Sequence, residues 1–395
     1  MRSADTGTRL GLALLGYMLA VTLIITLLPF QFRWPTQWKV LVDGPLLDIA
    51  ANVLLFVPLG FLYRLAFRRG RALRVLWMGM LLSAAIEAAQ LFESAREASL
   101  IDVAANALGA LLGALAFDGA ARSGKADGRL IGWLALELPL MGLTYLMVPL
   151  LWVSSLAGAG GMRSATIILP GFVGAILLGG IQRNYFGPGG AAKPRHTAAF
   201  AAVWFLCGAF PLLRWQPLYL VCGAGAIGAL CWMLARRPLR ATGSSRRFEV
   251  PLLKEAAPVY ATYLVMIVAL PLRSGVGDWN FTVGFPEIAS TQLEILRLIE
   301  ILAAFTLVGY MVAEFRGRSD ERYRHALPPL LGWGVALALA TEAMRGYQQG
   351  YGASPARGML LACTVLYGGW LYHLQRAHVV RLLSGSPRDS QGAGR

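Results

Sequence analysis

Charge is what this 395-residue chain has least of. Only 14% of its residues are charged against 56% hydrophobic, and the mean hydropathy is +0.56. A soluble globular domain carries about a quarter charged residues, so that class is excluded. Acidic residues are the scarcer sign, 21 against 36 Lys and Arg, for a net charge of +15. In a soluble chain that excess would point to nucleic acid. Here the basic residues fall in the gaps between apolar runs, where anionic headgroups and topology account for them, and no nucleic-acid module is present.

Cysteine and histidine number four each. Cys207, Cys222, Cys231 and Cys363 all lie inside apolar runs without CxxC spacing, which argues against a disulfide framework or a zinc site and leaves packing as their role. His196, His325, His373 and His378 sit at helix ends or late in the last helix, with no HExxH, so neither a metal nor a cofactor is expected. No GxSxG or Walker-type loop occurs, and the many glycines fit helix packing instead. The first apolar run ends LLPFQFRWP with no small-residue cleavage site, and reads as an uncleaved anchor helix rather than a signal peptide.

What the sequence has is a series of runs long enough to cross ~30 Å of hydrocarbon. They lie at about 10–29, 46–66, 75–92, 101–118, 130–153, 165–181, 197–213, 217–235, 257–273, 293–313, 327–345 and 358–376. The expected fold is all-α, a polytopic membrane helical bundle of about twelve transmembrane helices. Most Lys and Arg fall on one side of that arrangement, in clusters such as Arg64–Arg74, Arg236–Lys254 and Arg316–Arg324. The positive-inside rule then puts both termini in the cytoplasm of a multi-pass cell-membrane protein. Five segments follow: a four-helix unit at 1–120, a central membrane region at 130–235, a basic linker at 236–256, a second four-helix unit at 257–378 and a disordered tail at 379–395. Trp34, Trp38, Trp215 and Trp279, all in loops on the outer side, read as an interfacial belt.

Repetition appears at two levels. LLDIAANVL at 46–54 recurs as LIDVAANAL at 100–108, so the first four helices read as two hairpins in the same orientation. More weakly, 341–372 aligns with 86–115, placing Glu342 on Glu87 and Arg357 on Asp102. Likewise 296–316 aligns with 47–67, placing Arg297 on Asp48 and Gly309 on Gly60.

These residues carry a family resemblance. Residues from about 22 to 118 resemble the VanZ-like family in DIAANVLLFVPLGF, in IEAAQ on the next helix, in the loop Arg96 and in the closing D-V-x-x-N-x-x-G-x-x-x-G. Residues 257–378 look like a degenerate second copy. The family is named for a membrane protein associated with low-level teicoplanin resistance, so the resemblance implies a cell-envelope context rather than a reaction.

The residues themselves single out one polar set. Asp48 and Asn52 share a helix face at a spacing of four, as do Asp102 and Asn106; Glu87 and Gln90 share a face of the third helix. With Arg96 they gather in the outer quarter of the bilayer and are expected to frame one polar pocket. Each has a plain structural alternative: helix-end stabilisation for the aspartates, interhelical hydrogen bonding for the asparagines, and an ion pair with Arg96 or bonds to the asparagines for Glu87. Ala105, Gly109 and Gly113 form a stripe that lets the fourth helix approach a neighbour closely. Arg297 and Arg357 are read either as partners for Asp48 and Asp102 across two face-to-face copies, or as contacts to lipid phosphate.

Three functions compete at this point. One is a non-enzymatic envelope protein binding membrane lipids and a lipid-linked wall or polysaccharide intermediate, or a membrane protein partner. Another is an enzyme using Asp48, Glu87 and Asp102 on a lipid headgroup, with Arg96 holding an anion. The last is a transporter, for which Glu137 and Glu300 are the only deep acidic candidates. No nucleophile is evident.

Overall fold

The computed structural model describes residues 6–35, 38–67, 71–94, 96–123, 140–158, 161–186, 193–237, 248–269, 278–285, 291–316, 323–348 and 352–384. Glu137, residues 238–247 of the basic linker and the last eleven residues fall outside them. The described chain is an all-α polytopic membrane protein of twelve α-helices: α1 (Thr6–Leu27), α2 (Leu46–Ala66), α3 (Ala72–Gln90), α4 (Leu100–Ser123), α5 (Met141–Ala157), α6 (Ile168–Ile181), α7 (Pro194–Gly208), α8 (Pro217–Arg236), α9 (Glu249–Ala269), α10 (Gln292–Arg316), α11 (Tyr323–Gly346) and α12 (Pro355–Ser384). Nine spans among the described residues are long and apolar enough to cross a membrane.

Among the boundaries that differ from the sequence reading, two bear on the expected linker and tail. α9 begins at Glu249, so its first two turns take up the end of the expected linker. Buried Glu249, Leu252, Leu253 and Ala256 explain why, since this stretch packs against the bundle despite its charges. α12 continues to Ser384, past the point where the tail was expected to start. Proline at the first position of α7, α8 and α12 needs no N–H there, which suits it to a helix start.

The tightest packing joins α2 to α4. They run parallel, with Gly109 against Val53 and Phe56 and Gly113 against Val57 and Phe61, while Gly60 of α2 faces the Ala110 carbonyl. At these glycines a methyl group would fall inside the neighbouring backbone, so the absence of a side chain sets the interhelical distance. α10 and α12 meet in the same manner through Gly309 on the Val365 carbonyl and Gly368 on the Thr306 carbonyl. At one end of the α2–α4 pair, Arg64 donates to Asp118 Oδ1 at 2.6 and 3.1 Å. At the other end two short strands, β1 (Val40–Leu41) and β2 (Ala98–Ser99), pair in parallel with Val40 opposite Ala98, so the segments entering α2 and α4 lie side by side. This second extremity is called the Asp48 end below. α10 and α6 are buried along most of their length. α1 packs on α12, where the Tyr367 hydroxyl donates to the Ala13 carbonyl at 2.7 Å.

Candidate functional site at the Asp48 end

Glu87 lies in the last turn of α3, and its Oε2 accepts the backbone N–H of Ser99 at 2.7 Å. Ser99 precedes α4 and its hydroxyl accepts the N–H of Asp102 at 3.3 Å, the geometry of an N-cap. With its own side chain capping the helix, Ser99 still has an amide that needs an acceptor, and Glu87 supplies it from the next helix. The expected partners were Arg96 or the asparagines; the capping role on a neighbouring helix depends on packing that no local pattern encodes. Arg96 instead sends its guanidinium to the carbonyls of Leu28 and Ile25, both at 3.4 Å, at the end of α1.

The remaining polar residues tie helices together. Gln90 donates to the Thr26 carbonyl at 2.9 Å, linking α3 to α1. Asn106 donates to Ser83 Oγ at 2.8 Å, linking α4 to α3. Asp102 accepts from the Asn52 side chain, linking α4 to α2, and lies within electrostatic range of Asp48. Asp48 faces Arg214 Nη1 at 3.6 Å; both side chains are about half exposed, so the pair contributes little. The structure thus brings Asn52, Glu87, Asp102 and Asn106 into one seam, with Asp48 at its rim and Gln90 and Arg96 turned toward α1.

The C-terminal helices repeat this frame. Glu342 of α11 accepts the Ser354 N–H at 2.7 Å, and Ser354 Oγ accepts the Arg357 N–H at 3.3 Å. Arg357, with 0% exposure, then donates Nε and Nη2 to the two oxygens of Glu342 at 2.7 and 2.6 Å, and Nη2 also to the Gly352 carbonyl. Arg297 pairs with Glu294, one turn away on α10. Both arginines find their carboxylates within their own unit, which corrects both expectations, an ion pair to Asp48 or Asp102 and a contact to lipid phosphate. Guanidinium groups entering the bundle are stabilised only by such fully bonded partners.

Sequence reasoning missed a buried network in the interior. Arg163 donates to Glu300 Oε2 at 2.6 and 3.1 Å, Tyr263 donates to Oε1 at 3.0 Å, and Ser154 shares a 2.8 Å bond with the Tyr263 hydroxyl. Glu300 is therefore a paired core residue rather than part of an open path. Glu93, which the sequence places in the same outer loop as Arg96, has both carboxylate oxygens buried without a hydrogen-bond partner among the described residues.

None of the seven predicted pocket residues lines either of two cavities among the described residues. One cavity of about 220 Å³ lies between α1, α2, α5 and α7, with Val21, Leu54, Pro58, Ala116, Pro149 and Val203 among its walls. Its first wall residue on α2, Leu54, lies about two turns along the helix from Asp48. A second groove of about 610 Å³ runs between α11 and α12 under Trp279 and Phe281, with Glu342 at its edge.

Comparison with protein families bears on the N-terminal helices. Residues 11–120 match the VanZ/LLP1 family. That span takes in most of α1, all of α2 and α3 and most of α4, and with them Glu87, Ser99 and Asp102. The comparison with curated proteins found no match, and neither did the comparison with solved structures.

Proposed function

We propose that this is a VanZ-like protein of the bacterial cell membrane, crossing it many times with both termini cytoplasmic and the Asp48 end outward. Its role is to bind an envelope amphiphile, a lipid-linked wall or polysaccharide intermediate, and through it to alter glycopeptide susceptibility. The basic clusters at the opposite end support this orientation. The single observation that carries the binding role is the apolar cavity beneath the rim of α2. Its size exceeds the roughly 150 Å³ dry cavity that admits benzene, and its walls offer almost nothing to water, so an aliphatic chain is the complementary occupant. Asp48, Asn52, Asp102 and Arg214 stand above it to meet a headgroup. The recurrence of the Glu–Ser–N-cap frame supports α9 to α12 being a second, degenerate copy that serves as scaffold.

The test is lipid analysis of protein purified in mild detergent from its own membranes. Wild type is expected to retain one amphiphile class enriched over bulk lipid. Ala116→Phe and Val203→Trp, which fill the cavity and its mouth, are expected to lose that enrichment while keeping normal abundance. Bulk composition in wild type, or unchanged enrichment in both variants, rejects the reading.

A further inference from the structure

We propose that the α3–α4 seam of the N-terminal unit binds a nitrogen cation, a primary ammonium or guanidinium group on its ligand. The inference rests on reading the Asp48 end as a ligand site and names the headgroup chemistry that site takes.

The two four-helix units hold the same frame at the same distances: Ser99 and Ser354 each give an amide to a glutamate at 2.7 Å and cap residue 102 or 357 at 3.3 Å. In the C-terminal unit the capped residue is Arg357, and its guanidinium saturates the Glu342 carboxylate. The frame therefore accepts a guanidinium between its third helix and its fourth, fully buried. In the N-terminal unit the same position is Asp102, so the group facing Glu87 is a second carboxylate.

The donors that reach the two carboxylates are the Asn52 amide and the Ser99 hydroxyl at Asp102 and the Ser99 N–H at Glu87, while the Asn106 amide goes to Ser83. Arg96 lies within electrostatic range of Glu87 but donates to the α1 carbonyls, and Arg214 faces Asp48. Asn106 Oδ1, on a residue with 3% exposure, has no hydrogen-bond partner among the described residues. Asn106 stands one turn from Asp102 on the same face of α4, and its partner Ser83 one turn from Glu87 on α3, so this oxygen belongs to the same seam. Two carboxylates and an unpaired amide oxygen complement a cation rich in N–H groups, and Arg357 displays such a cation at the equivalent place. An excess of buried acceptors without it is costly.

The experiment measures thermal unfolding of the purified full chain with ethylammonium, methylguanidinium or tetramethylammonium chloride at matched ionic strength. Ethylammonium and methylguanidinium are expected to raise Tm with saturation, and tetramethylammonium, which has no N–H, is not. Asp102→Arg, which recreates the Arg357–Glu342 arrangement, is expected to fold and to lose the shift entirely; Asp102→Asn is expected to weaken it. Equal shifts from tetramethylammonium, no shift in wild type, or an undiminished shift in both variants overturns the proposal. Lipid retention is read on the same samples. An amine response in wild type that carries no enriched lipid removes the lipid reading alone, and enriched lipid without an amine response removes the cation site alone.

Discussion

A carboxylate inside an apolar helix is expensive to desolvate, and Glu87 and Glu342 both offset that cost by accepting the free amide at the start of the next helix. In the C-terminal unit the guanidinium of Arg357 completes the bonding. Removing one partner of a buried pair leaves an uncompensated charge, which costs ~3–5 kcal/mol, whereas replacing both with apolar groups is often neutral. Arg357→Met alone should therefore lower stability by about that amount in denaturant unfolding, and Glu342→Leu with Arg357→Met should recover most of it. A second comparison concerns Asn106 and Ser83, which align with Leu361 and Ala338 in the C-terminal unit. Asn106→Leu strands the Ser83 hydroxyl, so adding Ser83→Ala should restore part of the loss, on the order of 0.6–2 kcal/mol for such a bond. The sequence flagged Glu87 by its depth in an apolar run, but Ser99 as its partner became visible only with α4 seated on α3.

Among the elements, the parallel α2–α4 pair is defined by what its glycines omit. A Cβ on Gly60 would overlap the Ala110 carbonyl, and one on Gly113 would overlap that of Val57, both rigid backbone atoms. Gly60→Ala and Gly113→Ala should each separate the helices and destabilise by more than the ~1–3 kcal/mol typical of core overpacking. Gly16→Ala, with open space around it, serves as the tolerated control. Thermal unfolding and membrane abundance of the three variants report the difference. The Gly109 and Gly113 stripe was legible as a close-approach surface. Its partner was not, because a small-residue stripe fits any helix with a flat face, and the parallel pairing to α2 comes from the side-by-side entry of β1 and β2.

At the scale of the whole molecule, the VanZ-like unit supplies one wall of the apolar cavity and the central helices α5 and α7 supply the other. The central region, which has no readable motif, thus earns its place by enclosing a chain-sized space beside α2. It also carries Arg163, whose pairing with Glu300 fastens it to α10. Neutralising Glu300 as Gln should therefore act on folding, lowering membrane abundance and Tm, and Arg163→Met with Glu300→Leu should restore both. Normal abundance of Glu300→Gln with loss of a substrate flux would instead point to transport.

Composition and hydropathy alone determined that the chain is helical and membrane-embedded, because in hydrocarbon every backbone group must bond within its own segment. The spacing of Asp, Asn and Gly within 46–118 likewise marked the VanZ-like stretch and the faces on which its polar residues lie. The tertiary structure alone decided the partners. Glu87 meets a backbone amide, Arg357 a glutamate of its own unit and Arg163 a glutamate 137 residues away. Those pairings depend on which helix ends meet in space, and helices joined by short loops leave that choice to side-chain packing along their whole length.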